Sequence, residues 1–153
     1  MPVIGTFDVS VNNVFTDIKS PTFNVIGIDD DKTKLMLGRK KNQTLWRFIG
    51  GFVDAKDESL EFAIKREVSE ELGINFSIGD LRYLMSFQVK DWRYAYEHEK
   101  IMTAVFVTKH LYGKAKASDD IEECDWFDLE HLKKSYKDVL VSEHRKIFKT
   151  FIK

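Results

Sequence analysis

Gly50–Ile74, GGFVDAKDESLEFAIKREVSEELGI, is the stretch that decides the fold. Ser59 to Leu72 contains neither Pro nor Gly, which predicts a helix. Asp57 and Glu58 suit the positive end of its dipole, and Gly73 stands where such a helix stops. At about 100° per residue, Leu60, Ile64, Val68 and Leu72 share one apolar arc. Glu67 and Glu71 fall on the same side as Leu60 and Ile64, with Glu70 just beyond. Carboxylates at i, i+3 and i+4 repel one another, and turning them toward a core is costly. A hard divalent cation offsets both costs, because Mg²⁺ takes oxygen ligands and usually binds substrate phosphates as well. The bland alternative is a solvated acidic patch. It leaves Gly50-Gly51 and the spacing from Glu58 to Arg66 without a purpose.

The rest of the composition narrows the class. A chain of 153 residues is expected to form one domain with a sizeable core. Its 43% hydrophobic and 32% charged residues are ordinary for a soluble globular protein. A net charge of −1 argues against an electrostatic nucleic-acid or membrane binder. An acidic substrate would then need metal ions and a few local cations. The single Cys124 excludes an intrachain disulfide, fits a reducing compartment and reads as a small buried residue. No export segment or membrane-length apolar run is seen, so a cytoplasmic location is expected.

Outward from the helix, residues 1–21 read as a short N-terminal strand, either an edge strand or a segment that caps the substrate or contacts a second copy. Phe23 to Ile28 and Lys34 to Arg39 read as a hairpin around Asp29–Lys32. Thr44 to Phe52 reads as a strand running into the two glycines, which let the backbone approach a ligand or metal. Arg39 and Arg47 are the cationic candidates for substrate binding on this side. Leu81 to Val89 and Lys100 to Lys109 read as strands joined by KDWRYAYEHE, in which Trp92 and Arg93 are suited to stacking on a purine and gripping a phosphate. Ser118–Glu123 is an acidic loop before a strand at Cys124–Asp128; it is either a solvated turn or the source of a further ligand or base among Asp119, Asp120 and Glu122. Two helices close the chain, at Asp128–Tyr136 and Val141–Lys153. The four histidines show no ligand spacing, so none is read as a metal ligand.

Glu58, seven intervening residues, then Arg66, Glu67, Val68, Glu70, Glu71, Gly73 and Ile74 match in order the Nudix box, G-x5-E-x7-R-E-U-x-E-E-x-G-U with U apolar. The chain resembles the Nudix hydrolases through most of residues 22–135. Six residues rather than five separate Gly51 from Glu58, an insertion ahead of the helix that leaves its register intact. The resemblance implies an α/β fold, an α/β/α sandwich around a mixed sheet, in a single domain. It implies hydrolysis of a nucleoside diphosphate derivative with Mg²⁺, or Mn²⁺ in its place. Glu67, Glu70 and Glu71 would be metal ligands, with the Gly51 carbonyl added. Glu58 would pair with Arg66 to orient the helix, and Glu67 or an acid of the 119–122 loop such as Asp120 would deprotonate water. The catalytic set is thus Glu58, Arg66, Glu67, Glu71 and Asp120.

The stretches WRFIGGFVDAKDESLE, DWRYAYEHEKIMTAVF and DDIEECDWFDLEHL further resemble Nudix modules of bacterial NMN adenylyltransferases and a stand-alone Nudix hydrolase of T-even-type phages. That resemblance implies ADP-ribose as substrate, cleaved to AMP and ribose 5-phosphate, and a homodimer. Dinucleoside polyphosphates, FAD and nucleoside triphosphates are the rival substrates within the family. A non-catalytic nucleotide-binding module is the rival outside it, though its expected loss of a box glutamate is not seen.

Overall fold

The computed structural model describes residues 22–89 and 101–153. The expected N-terminal strand and the loop carrying Trp92 and Arg93 lie outside the described residues. Six strands run in the order β1 (Thr22–Ile28), β2 (Lys34–Lys40), β3 (Ile49–Phe52), β4 (Ser77–Gln88), β5 (Met102–Tyr112) and β6 (Ile121–Asp128). The helices are α1 (Leu60–Leu72), α2 (Leu129–Val139) and α3 (Ser142–Phe151).

β1 is the hub of the sheet. It pairs in parallel with β5 along its whole length, from Thr22↔Thr103 to Ile28↔Lys109. On its other edge it changes partner: Thr22–Val25 face β3, and Gly27 and Ile28 face β2, both antiparallel. The sheet order is β4-β5-β1-β2-β6 with β3 beside β1, a mixed sheet as expected. The β1–β2 turn is held by Asp29, whose carboxylate accepts from the Thr33 and Lys34 amides at 2.8 and 2.9 Å.

The strand expected at Thr44–Phe52 is shorter. Trp46 bridges to Leu140 and Arg47 to Gly38, so this segment divides between two partners, and the regular strand starts only at Ile49. β4 starts earlier than expected, at Ser77.

α1 begins where its cap does: Ser59 Oγ accepts the Phe62 amide at 3.0 Å, and Gly73, at φ 90°, ends the helix in a conformation that favours glycine. Alternation along the strands sorts the apolar residues into two cores. On one face Phe23, Val25, Met36 and Ile49 meet Ala63, Ile64, Val68 and Leu72 of α1. On the other, Ile26, Leu35, Leu37 and Val105 meet Leu132, Ile147 and Phe148 of α2 and α3. Each such side chain contributes about 1.5–3 kcal/mol when fully buried, so both helix layers are anchored to the sheet. Cys124 is half-buried rather than buried. Among the described residues, no helix is long and apolar enough to cross a membrane.

Candidate active site

The helix that packs the first core also carries its acids into that core. Glu67 is 9% and Glu71 only 2% exposed, so the unusual side chosen by these carboxylates is real. Glu70 stays at the surface but still converges: single oxygens of Glu67, Glu70 and Asp119 lie within 4.8 Å of one another. Asp119 arrives through backbone hydrogen bonding. The last carbonyls of a helix lack intrahelical partners, and here Leu72 and Glu71 carbonyls accept the amides of Lys116 and Ser118 at 2.9 and 3.0 Å. That splice sets the next turn, with Asp119 in the left-handed region at φ 55°, beside the glutamates. The acidic loop therefore does reach the site, but Asp119 rather than Asp120 joins the cluster. Asp120 acts on Glu71 only as a nearby negative charge.

Glu71 has the highest stakes. Its Oε1 is buried with no hydrogen-bond partner, an uncommon and costly condition for a carboxylate oxygen. Burial, and then the charge of Glu67, push its pKa up to about 8, with Lys40 opposing. Burial and Glu70 raise that of Glu67 as well, against the opposing pull of Arg66.

Arg66 ties the acids to the sheet. Its Nε and Nη2 donate to the two oxygens of Asp57 at 2.9 and 2.8 Å, Nη1 reaches Glu67 at 3.1 Å and Glu70 at 3.2 Å, and Nη2 also donates to the Phe52 carbonyl at 3.2 Å. This corrects the expected Glu58–Arg66 pair. Glu58 is exposed, whereas the Asp57 side chain is wholly shielded. Asp57 follows Gly51 by the five-residue gap of the box, so the insertion falls between Asp57 and the helix, and Asp57 takes the partner's place. The guanidinium holds the Asp57 carboxyl below the usual range.

Gly51 lies hard against the same group: a Cβ there would stand 2.8 Å from Glu67 Oε2. Its neighbour Gly50 would put a Cβ 2.5 Å from Asn24 Oδ1 and into the Phe23 carbonyl. Both glycines are therefore required for the approach of β3 to its surroundings.

From Glu71 a cleft runs across β3 and the start of β1, lined by Asn24, Lys40, Arg47, Phe52, Thr103 and His144 among others. Arg47 lies there as expected. Arg39 does not: its guanidinium is held by Glu122 at 3.2 Å and Glu123 at 2.6 Å, and it sits 5.8 Å over Trp46. It clamps β2 to β6, which also removes Glu122 from the acids available as ligands, and Lys40 takes its place at the cleft. His144 was not foreseen there. Its ring stacks on Phe48 at 5.7 Å, Nδ1 accepts the Phe48 amide at 2.9 Å, and burial, with Arg47 and Lys40 adding to it, lowers its pKa to about 3. Nothing local in the sequence links residues 96 apart.

The donor set fits a hard divalent cation: only carboxylate oxygens converge, one buried oxygen lacks a partner, and the glycine beside them has no side chain to obstruct.

The comparisons agree with this arrangement. The NUDIX domain model matches residues 19–151. The chain is 31% identical over 136 residues to ADP-ribose pyrophosphatase of Methanocaldococcus jannaschii, covering 87% of this chain and 74% of that one. It is 27% identical over 134 residues to Nudix hydrolase 19, chloroplastic, of Arabidopsis thaliana, covering 85% of this chain but only 28% of the length of that relative. Among solved structures, the NUDIX domain of Shewanella oneidensis NrtR, complexed with ADP ribose, matches with a TM-score of 0.69 at 19% identity, over 88% of this chain and 86% of that one. MutT from Methanosarcina mazei Go1 matches with a TM-score of 0.64 at 25% identity, over 89% and 94%. With its box helix, its acidic cluster and a family match over nearly all described residues, the chain belongs to the Nudix family of hydrolases.

Proposed function

We propose that this protein hydrolyses the diphosphate linkage of nucleoside diphosphate derivatives, with ADP-ribose as the preferred substrate and AMP and ribose 5-phosphate as products. The observation that carries the reading is the convergence of Glu67, Glu70 and Asp119 next to the buried, unpartnered Glu71, at the head of a cleft that Lys40 and Arg47 line. The 31% identity to an ADP-ribose pyrophosphatase supports the substrate.

Glu67, Glu70, Glu71 and Asp119 would hold Mg²⁺, or Mn²⁺ in its place. When bound, the cation supplies charge neutralisation and a more acidic water. Arg66 positions Glu67 and Glu70, and Lys40 and Arg47 receive the anionic substrate. Water adds to one phosphorus, its proton passes to Glu67, and the bond from that phosphorus to the bridging oxygen breaks. The bridging oxygen leaves with the other phosphate. Glu67 suits the proton because burial and Glu70 raise its affinity for it.

The test is a product profile with Mg²⁺ and ADP-ribose, Ap3A and FAD side by side, using Glu71→Gln as control. AMP and ribose 5-phosphate released fastest from ADP-ribose is the expected result. Faster cleavage of another substrate would replace ADP-ribose, and pyrophosphate from a nucleoside triphosphate would move the reading to that class.

A further inference from the structure

His144 is used by the fold on one side of its ring only. Nδ1 accepts the Phe48 amide at 2.9 Å, so in the neutral imidazole the proton sits on Nε2. The residue is 6% exposed and lines the cleft, so what little surface it keeps faces the same space as Glu71. Lys40 and Arg47 line that space too, and the charges of both act on the ring. A neutral donor beside two cations matches an anionic oxygen; a purine edge or a sugar hydroxyl would leave the positive charge unanswered. Phe48 at once fixes the tautomer by its amide and the ring plane by stacking, so the donor is held in place before any ligand arrives.

We infer that His144 binds substrate, its Nε2–H donating to a phosphate oxygen held between Lys40 and Arg47 at the end of the cleft away from the acidic cluster. The inference rests on the reading that this cleft takes a phosphorylated nucleotide, and it names a contact that neither the box nor the acidic loop supplies. Burial keeps the ring neutral through the range in which phosphate esters are dianions, so the donor neither switches off nor adds charge in that range.

The experiment uses the full chain labelled with ¹⁵N-histidine and titrated with inorganic pyrophosphate, AMP and adenosine in separate samples. Pyrophosphate and AMP are expected to shift the His144 Nε2 resonance, and adenosine to leave it in place. His144→Asn keeps an oxygen for the Phe48 amide and loses the Nε2–H. It is expected to weaken AMP binding by roughly tenfold or more, as loss of a hydrogen bond to a charged group does, with Tm nearly unchanged.

A resonance that stays fixed at saturating pyrophosphate and AMP overturns the inference, whether or not the variant folds. A shift with adenosine alone overturns the phosphate assignment. If ADP-ribose is hydrolysed while the resonance stays fixed and His144→Asn binds AMP normally, the inference fails and the proposed activity stands. If nothing is hydrolysed but pyrophosphate and AMP still move Nε2, the activity fails and the inference stands.

Discussion

Arg66 donates from Nε and Nη2 to both carboxylate oxygens of Asp57, at 2.9 and 2.8 Å, and this fork fixes the box helix to the loop that leads into it. A guanidinium and a carboxylate match in this two-point geometry, and the Asp57 side chain is completely shielded while Arg66 keeps 23% of its surface. The same guanidinium spends Nη1 on Glu67 and Glu70, so losing Asp57 would free Arg66 to swing and take the acids with it. Asp57→Asn should lower turnover roughly 10- to 100-fold, the range for residues that orient metal ligands, and should lower Tm. Glu58→Gln should change neither by comparable amounts. Kinetics and thermal melts of the two variants check the assignment, and equal effects would return Glu58 to the pair.

Removing Glu71 separates catalysis from stability. Glu71→Gln takes away a carboxylate of the site and should abolish measurable turnover. In the metal-free protein, however, the folded state holds a proton on Glu71 up to about pH 8, where an unfolded glutamate holds it only to about 4.5. Between those values the folded state binds the extra proton, so the wild type loses stability as pH rises through that window and loses no more above it. Glu71→Gln should lack this decline, and saturating Mg²⁺ should remove it from the wild type. Tm against pH, with EDTA and with Mg²⁺, measures both.

The legibility of this chain follows the range of the interactions involved. The box helix, its cap at Ser59, its stop at Gly73 and the inward turn of Glu67 and Glu71 are readable because a helix is local and periodic. The mixed sheet followed from the order of strands and helices. The shortening of β3 was not readable, because Trp46 and Arg47 are claimed by Leu140 and Gly38, far away in sequence. Arg66 was given the wrong carboxylate since counting back from the helix leads to Glu58, while counting forward from Gly51 leads to Asp57, and only packing chooses between them. Arg39 looked like a phosphate ligand until β6 brought Glu122 and Glu123 beside it. His144 is the hardest case, a residue of the last helix that serves a backbone amide just ahead of β3.

Asp119 and Asp120 are adjacent in sequence, and the cluster distinguishes them. Asp119→Asn keeps a residue type that tolerates the left-handed backbone at φ 55°, so the change is one of charge alone. It should weaken Mg²⁺ binding at least tenfold, with little change in Tm in the absence of metal. Asp120→Asn should weaken it less. Mg²⁺ titrations of the folded variants decide, and the reverse order would make Asp120 the ligand.

The acid side of the stability profile belongs to His144. The folded protein refuses it a proton until about pH 3, whereas the unfolded chain accepts one near 6.5. Stability should therefore be complete above about 6.5 and fall as pH drops through that window, because the unfolded state binds more protons there. His144→Asn cannot titrate. The difference between wild-type and variant Tm should shrink or reverse as pH is lowered from 7 to 4, and a constant difference would mean that the ring is not held neutral.

The two glycines of the box loop separate obstruction of the site from obstruction of the fold. At Gly51 a methyl group would stand 2.8 Å from Glu67 Oε2, and the far end of a side chain can give way. Gly51→Ala should therefore fold with a modest loss of Tm, while Glu67 is pushed off the position it shares with Glu70 and Asp119. At Gly50 the same methyl group meets the Phe23 carbonyl, and backbone in the middle of a paired strand cannot yield. Gly50→Ala should be the more destabilising of the two, and its lost activity should follow its lost fold. Gly51→Ala should instead show a raised Mg²⁺ requirement and a lower kcat at temperatures where it is fully folded. If both variants lose activity only in step with unfolding, Gly51 serves the strand and not the acids beside it.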